Sequence, residues 1–136
     1  MIGCNRQEVI ICSPDDTNCI TVMTRAFSDI RYVIDGRHTN IPDTNYVKIK
    51  ISDHYRPGDT IYVCWNNQDY EWEAIVDKSI IIDNKLNENR FLFSNTIDKD
   101  PNGVPTVQRY RKPGCASIGL YNEVNLYVEG TAIIYQ

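Results

Sequence analysis

The amino-acid sequence predicts an all-β domain, and three observations lead to that prediction. Apolar and polar residues alternate with a period of two along most of the chain, which is typical of strands that bury one face. β-Branched and aromatic residues, among them nine tyrosines, dominate the alternating segments. Residues that favour turns, namely Gly, Pro, Asp and Asn, separate these segments at the short intervals typical of sandwiches and barrels.

The elements follow in chain order from these patterns. A short N-terminal arm, residues 1–7, precedes a first apolar run at 9–11. Strand patterns recur at 47–51, 61–65, 70–74, 91–93, 106–110 and 124–128, and one helical turn is expected at 24–29. Turn residues occur at 14–16, 35–36, 56–59, 98–103 and 112–114. About ten short strands with long connections favour a jelly-roll-like two-sheet β-sandwich over a plain meander.

Size and charge limit the classes of protein that the chain can belong to. A length of 136 residues fits one domain, residues 1–136, which buries enough surface to fold without disulfides. The net charge of −4 and the scattered Lys and Arg residues argue against nucleic acid as a partner. The first apolar run is too short for a signal peptide or a membrane span, so we expect no membrane span. A leader removed earlier stays an alternative.

The cysteines are the most informative residues of the sequence. They are five in number: Cys4, Cys12, Cys19, Cys64 and Cys115. An odd count cannot be closed by internal disulfides alone, so at least one thiol is free, buried, metal-bound or bonded to another chain. No Cys-x-x-Cys pair is present, which disfavours a zinc site, and no cofactor is expected. We expect disulfides, some of them between chains, with reduced thiols packed in the core as the alternative.

These observations predict a structural subunit rather than an enzyme. Copies of the chain would form a homo-oligomeric filament, pilus-like appendage or coat on a cell, spore or virion surface. The arm or an edge strand would extend a neighbour's sheet, and disulfides between chains would lock the contact. Whether the arm docks on a neighbour or on its own domain stays open at this point.

The all-β pattern and the arm that carries Cys4, with Cys12, Cys19 and Cys115 as candidate partners, resemble the jelly-roll subunits of bacterial endospore appendages. The resemblance implies a surface fibre or coat protein that is made without a signal peptide. It also implies cross-linking through cysteines of an N-terminal connector. That connector carries paired cysteines, whereas here Cys4 is followed by Asn5.

A carbohydrate-binding module is the alternative function. Its candidate ligand-binding residues form one segment: Trp65, Asn67, Asp69, Tyr70 and Trp72. Aromatic faces stack on the apolar side of a sugar ring, while amides and carboxylates bind its hydroxyl groups. The competing interpretation places both tryptophans in the core and makes 66–69 a hairpin loop, since Trp65 shares its alternation with Ile61 and Val63.

The segment from Asp98 to Gly103 is a weak calcium candidate. Asp98, Asp100 and Asn102 stand at alternate positions ahead of a glycine, like the opening of a calcium-binding loop. The twelfth position, which requires a bidentate Glu, holds Arg109. An acidic hairpin tip is therefore the preferred interpretation, and no metal is expected.

No arrangement in the sequence indicates catalysis. Nucleophilic triads, phosphate-binding loops and dinucleotide fingerprints are absent from the sequence. Glu71 and Glu73 are two residues apart and could face a cleft, as the paired carboxylates of glycosidases do. An exposed acidic strand face is the commoner origin of such a pair, so we expect no enzyme.

Overall fold

The fold is described from a computed structural model for residues 6–25, 29–51, 60–104, 106, 110, 112–119 and 127–135, without the side chains of 6, 7, 25 and 127–129. These residues contain eleven strands in chain order. The first six are β1 (Arg6–Cys12), β2 (Cys19–Arg25), β3 (Ile30–Asp35), β4 (Tyr46–Lys50), β5 (Thr60–Cys64) and β6 (Trp72–Ile75). The others are β7 (Ile80–Asn84), β8 (Phe91–Ser94), β9 (Cys115–Gly119), β10 (Tyr127–Gly130) and β11 (Ile133–Tyr135).

The strands form two sheets, which confirms the predicted all-β sandwich. The six-stranded sheet has the order β11-β1-β2-β3-β4-β7, and all its neighbours are antiparallel. The five-stranded sheet has the order β10-β9-β5-β6-β8. Its neighbours are antiparallel except β6 and β8, which run parallel.

The connectivity joins a meander to a series of crossings. Strands β1 to β4 follow one another in the six-stranded sheet. After β4 the chain crosses between the sheets repeatedly, placing β7 and β11 at the two edges of the first sheet. The crossing expected of a jelly-roll-like chain is thus found in the second part of the molecule, while the first part is an antiparallel meander.

Alternation of apolar residues explains which faces meet. The inward positions of both sheets form one core of completely buried side chains, which includes Val9, Ile11, Ile20, Val22, Val33, Val47, Ile49, Ile61, Val63, Trp72, Phe91 and Ile118. A second cluster lies on the other face of the five-stranded sheet and contains Cys64, Ile75, Ile97, Tyr110 and Cys115. All five residues of β9 are therefore buried, since β9 is covered on both faces.

The helical turn expected at 24–29 is wrong for its first residues. Thr24 and Arg25 continue β2, where Thr24 pairs with Arg31 of β3. Hydrogen bonding to neighbouring strands on both sides outweighs the weak helical tendency of this segment. Residues 26–28 lie outside the described part of the chain, as do 107–109 of the strand expected at 106–110. None of the described segments is a helix long and apolar enough to cross a membrane.

Gly130 lies where β10 leaves its partner strand, and it tolerates no side chain. Its φ is 92°, and a Cβ atom built there would lie 2.4 Å from the carbonyl oxygen of Cys115. We expect Gly130→Ala to lower the free energy of unfolding by roughly 1–3 kcal/mol more than Gly103→Ala does. Gly103 is the matched control because it shares a positive φ, 81°, but has open space where a Cβ would stand. Equal losses for both variants in urea unfolding would contradict the close approach.

Candidate functional site

Four of the five cysteines are paired within the chain. Cys12 and Cys19 face each other across β1 and β2, with their Cα atoms 4.0 Å apart. Cys64 and Cys115 face each other across β5 and β9, with their Cα atoms 4.1 Å apart. The expected disulfides are present, and both lie within the chain, so neither is one of the bonds expected between chains. Strand pairing sets each cysteine directly opposite its partner, so the closest sulfur belongs to the same polypeptide.

The first five residues of the predicted arm, which include Cys4, lie outside the described residues. The other four cysteines each have a partner within the chain, so Cys4 has no cysteine of its own chain left to bond. Cys4 is therefore the residue on which any disulfide between two copies depends. Where the arm docks stays a prediction.

Strand β7 forms an exposed apolar edge of the six-stranded sheet. It lies at the end of the strand order, so it pairs with β4 on one side and with no described strand on the other. Three consecutive isoleucines are exposed: Ile80 by 60%, Ile81 by 37% and Ile82 by 48%. Successive side chains of a strand point to opposite faces, so apolar surface is present on both faces of this edge.

An irregular register bends β7 against its neighbour. Lys48 of β4 is opposite Asp83 and Ile49 is opposite Ile81, which leaves Ile82 without an opposite residue. The hydroxyl of Tyr46 donates to Asp83 Oδ2 at 3.4 Å. Burial, and then the charge of Asp83, raises the pKa of Tyr46, so its hydroxyl remains protonated and continues to donate above neutral pH.

Trp72 is a core residue, so its assignment to a sugar-binding surface is wrong. Its side chain is fully buried and stacks on Phe91 with ring centroids 4.9 Å apart. Its indole N–H donates to Asp35 Oδ1 at 3.0 Å, across the two sheets. Trp72 occupies an apolar position of the alternating pattern and points inward, as expected by the interpretation that places the tryptophans in the core.

The segment between β5 and β6 is a hairpin loop with internal hydrogen bonds. The carbonyl oxygen of the Asn67 side chain accepts from the backbone N–H of Asp69 at 2.8 Å, and its amide donates to Glu73 at 3.2 Å. Tyr70 is half-buried. The polar groups of Asn67 are thus used by the loop itself, so Asn67, Asp69 and Tyr70 do not form one binding surface with Trp72.

Trp65 differs from Trp72 because it lies at the surface. Its ring packs partly against the main core and also lines a cleft formed with the loop between β1 and β2. Its indole N–H is buried and lacks a hydrogen-bond partner in the described part of the chain. Of the two tryptophans in the predicted set, Trp65 alone remains a candidate for ligand binding.

The calcium candidate is a hairpin tip. Asp100 Oδ1 accepts from the backbone N–H groups of Asn102 and Val104, each at 2.9 Å. The backbone N–H of Gly103 donates to the Asp100 carbonyl, also at 2.9 Å. Asp100 Oδ1 thus closes the turn, which is the role that Asp commonly has at such positions.

Glu71 and Glu73 do not face each other as a pair of catalytic carboxylates would. Glu71 is exposed and forms an ion pair with Arg90, whose pKa is raised by that hydrogen-bonded partner. Glu73 is buried and accepts from Asn67. One carboxylate lies in solvent and the other lies in the protein, so they do not face a common cleft.

One group of potential metal ligands is found among the described residues, but two of its three members are joined in a disulfide, so the group does not form a metal site. Cys12, Asp16 and Cys19 have ligand atoms within 4.8 Å of one another. The two sulfur atoms are bonded to each other and are therefore not thiolates. Asp16 is also engaged by Arg37 at 2.9 Å and by the hydroxyl of Tyr135 at 3.0 Å.

Sequence reasoning missed two features of the structure, the exposed edge strand β7 and the cleft beside Trp65. The run Ile80-Ile81-Ile82 lacks the alternation that marks a half-buried strand, and an unbroken apolar run beside Lys78 was the signal that could have found it. The second feature is the cleft, in which the loop between β1 and β2 lies close to Trp65 although the two are distant in sequence. No local pattern could have shown that contact.

Comparisons of the chain with protein-family models, with curated proteins and with solved structures found no match. What the chain does is therefore inferred from its own residues.

Proposed function

We propose that the chain is a structural subunit that assembles with copies of itself into a fibre or coat. The observation that carries this proposal is the apolar edge strand β7, in which Ile80, Ile81 and Ile82 are exposed and whose outer side pairs with no strand of the described residues. Water-soluble proteins protect such edges, because an uncovered apolar strand pairs with another chain. A second copy would bury the isoleucines and extend the six-stranded sheet.

Charge favours antiparallel pairing of one β7 with another. Lys78 precedes the strand and Asp83 is near its end. When two copies of β7 run antiparallel, Lys78 of each copy lies near Asp83 of the other, and the isoleucines lie between these pairs. Opposite charges on facing strands stabilise the pair, whereas a parallel arrangement would bring like charges together.

Two different contacts are needed for a polymer. A β7–β7 contact between antiparallel copies is two-fold symmetric, and by itself it stops at a dimer. A disulfide between Cys4 residues of two subunits would be a second symmetric contact at another place. Alternation of the two contacts along a row of subunits produces an open filament. The resemblance to endospore appendage subunits and the surface location remain predictions that agree with such a product.

The test separates the two contacts by substituting one residue in each. We expect the unreduced protein to form large species in light scattering and filaments in electron microscopy. Cys4→Ser should leave non-covalent dimers, and Ile81→Lys should leave dimers that a reductant separates. A lysine buried without a partner should weaken the edge contact by roughly tenfold or more. The double variant should be a monomer.

Val104→Lys is the matched control, since Val104 is an apolar residue exposed by 56% that lies outside β7, at the 98–104 hairpin tip. This variant adds the same charge and should assemble like the unaltered protein. A monomeric unaltered protein, with and without reductant, would rule out the structural role. Large species that persist in the double variant would instead assign assembly to another surface.

A further inference from the structure

A cleft of about 260 Å³ lies between the loop that joins β1 to β2 and the end of β5. Its lining consists of Ser13, Pro14, Asp15, Asn18, Trp65 and Gly114. The volume is slightly below the range of about 300–1,000 Å³ that is typical of pockets for drug-sized ligands. A molecule about as large as one sugar ring fits a cleft of this size.

Both disulfides hold the walls of this cleft. Cys12–Cys19 closes the base of the loop that carries residues 13–18, and the backbone N–H of Ser13 donates to the Asn18 carbonyl at 2.9 Å. The second disulfide joins Cys64, which precedes Trp65, to Cys115, which follows Gly114. The Gly114 carbonyl accepts from the backbone N–H of Trp65 at 2.7 Å. Walls that are fixed before binding lose little conformational entropy when a ligand enters.

Asp15 supplies a carboxylate that is fixed in position but not fully used. Its Oδ1 atom accepts from the hydroxyls of Ser13 and Thr17, at 2.6 and 2.7 Å, and from the Thr17 backbone N–H at 3.2 Å. These hydrogen bonds, that of Ser13 first, lower the pKa of Asp15, so the group stays ionised in mildly acid solution. Within the described residues no hydrogen bond reaches its other oxygen, which can accept from a ligand.

Trp65 supplies the apolar side of the same cleft. An aromatic ring attracts the C–H face of a pyranose. The Trp65 ring lines the cleft, and its buried indole N–H has no acceptor among the described residues. The side chain of Asn18 is exposed beside it and offers both a donor and an acceptor. One apolar wall, one carboxylate and one amide are the groups that recognise vicinal hydroxyls on a ring.

We propose that this cleft binds a single neutral saccharide ring, with the ring face on Trp65 and a pair of hydroxyls donating to Asp15. An anionic ligand would be repelled by Asp15 and by the net charge of −4. A purely apolar ligand would remove water from the carboxylate without replacing its hydrogen bonds. The site differs from the surface expected between Trp65 and Trp72, because it shares only Trp65 with it. It is also independent of assembly through β7.

The test is a titration of the ¹⁵N-labelled chain with neutral monosaccharides, observed at the indole N–H signals. The chain has two tryptophans, and Trp72 is buried, so it serves as an internal reference. We expect a saturable shift of the Trp65 signal with at least one of glucose, galactose, mannose, rhamnose and N-acetylglucosamine at millimolar concentration. Asp15→Asn should weaken that binding by about tenfold, because the charged acceptor is lost.

Variants and a competing ligand decide between the interpretations. Trp65→Phe keeps a ring and should retain part of the affinity, whereas Trp65→Ala should abolish binding, as followed by the Asn18 amide signals. Asp69→Asn, in the adjacent loop, removes the same charge outside the cleft and should bind normally. Absence of any saturable shift, unchanged binding by Asp15→Asn, or a response to methylammonium but to no sugar would each overturn the proposal.

Discussion

Replacing Trp72 by alanine should lower the free energy of unfolding by about 3–5 kcal/mol, the range for removing a fully buried Trp or Phe side chain. The side chain is 0% exposed and stacks on Phe91. Its N–H bond to Asp35 Oδ1, at 3.0 Å, connects β6 of one sheet with β3 of the other. The alanine variant therefore loses packing, and Asp35 loses its donor at the junction between the sheets.

A second variant separates these two contributions. Trp72→Phe keeps an aromatic ring against Phe91 but removes the N–H donor and part of the indole, so its loss should be about 1.5–3 kcal/mol, mainly from the hydrogen bond to a charged group. Trp65→Ala is the control for truncating a tryptophan that is only partly buried, and its loss should be smaller than that of Trp72→Ala. Urea unfolding measured by far-UV circular dichroism provides all three values. If Trp72→Ala unfolds at the same urea concentration as the unaltered protein, Trp72 does not join the sheets.

The outcome for the two tryptophans shows how far the sequence determines this site. Alternation places Trp65 on the same strand face as Ile61 and Val63, and both of these residues are fully buried. Trp65 nevertheless lies partly at the surface because it follows the last residue of β5, where the opposite sheet no longer covers the strand. A period-two pattern gives the direction of a side chain but not the position at which the covering layer ends.

The existence of the strands could be predicted from the sequence, whereas their pairing could not. The alternation at 47–51 and 61–65 reflects local burial of one face, and β4 and β5 are found there. Pairing of β7 with β4, and the parallel pairing of β6 with β8, depends on which layers the crossing connections reach. Those contacts join segments far apart in sequence, and no local preference encodes them.

The pairing of the cysteines belongs to the same class of long-range information. Alternation indicates that Cys19 and Cys64 are outside the main apolar stripe, and this property alone fits bonds within or between chains. The register of β1 with β2 and of β5 with β9 decides the matter, because it sets Cys12 opposite Cys19 and Cys64 opposite Cys115. The assembly proposal consequently depends on Cys4 and on the edge strand β7.

The two disulfides should contribute unequally to stability. The Cys64–Cys115 bond closes a sequence separation of 51 residues, whereas the Cys12–Cys19 bond closes one of 7. Restricting the unfolded chain is the main effect of a disulfide in the chain-entropy model, and it grows with the logarithm of the loop length. That model gives about 4 kcal/mol for the long loop and about 2.5 kcal/mol for the short one at 25 °C.

Alanine pairs provide the comparison, because alanine leaves no unpaired hydroxyl in sites where all four cysteines are buried. We expect the Cys64→Ala, Cys115→Ala variant to lose about 1.5 kcal/mol more than the Cys12→Ala, Cys19→Ala variant in urea unfolding. Packing losses are similar in the two pairs, so the difference isolates the loop length. A larger loss for the short loop would show that native contacts around Cys12 and Cys19 outweigh the restriction of the unfolded chain.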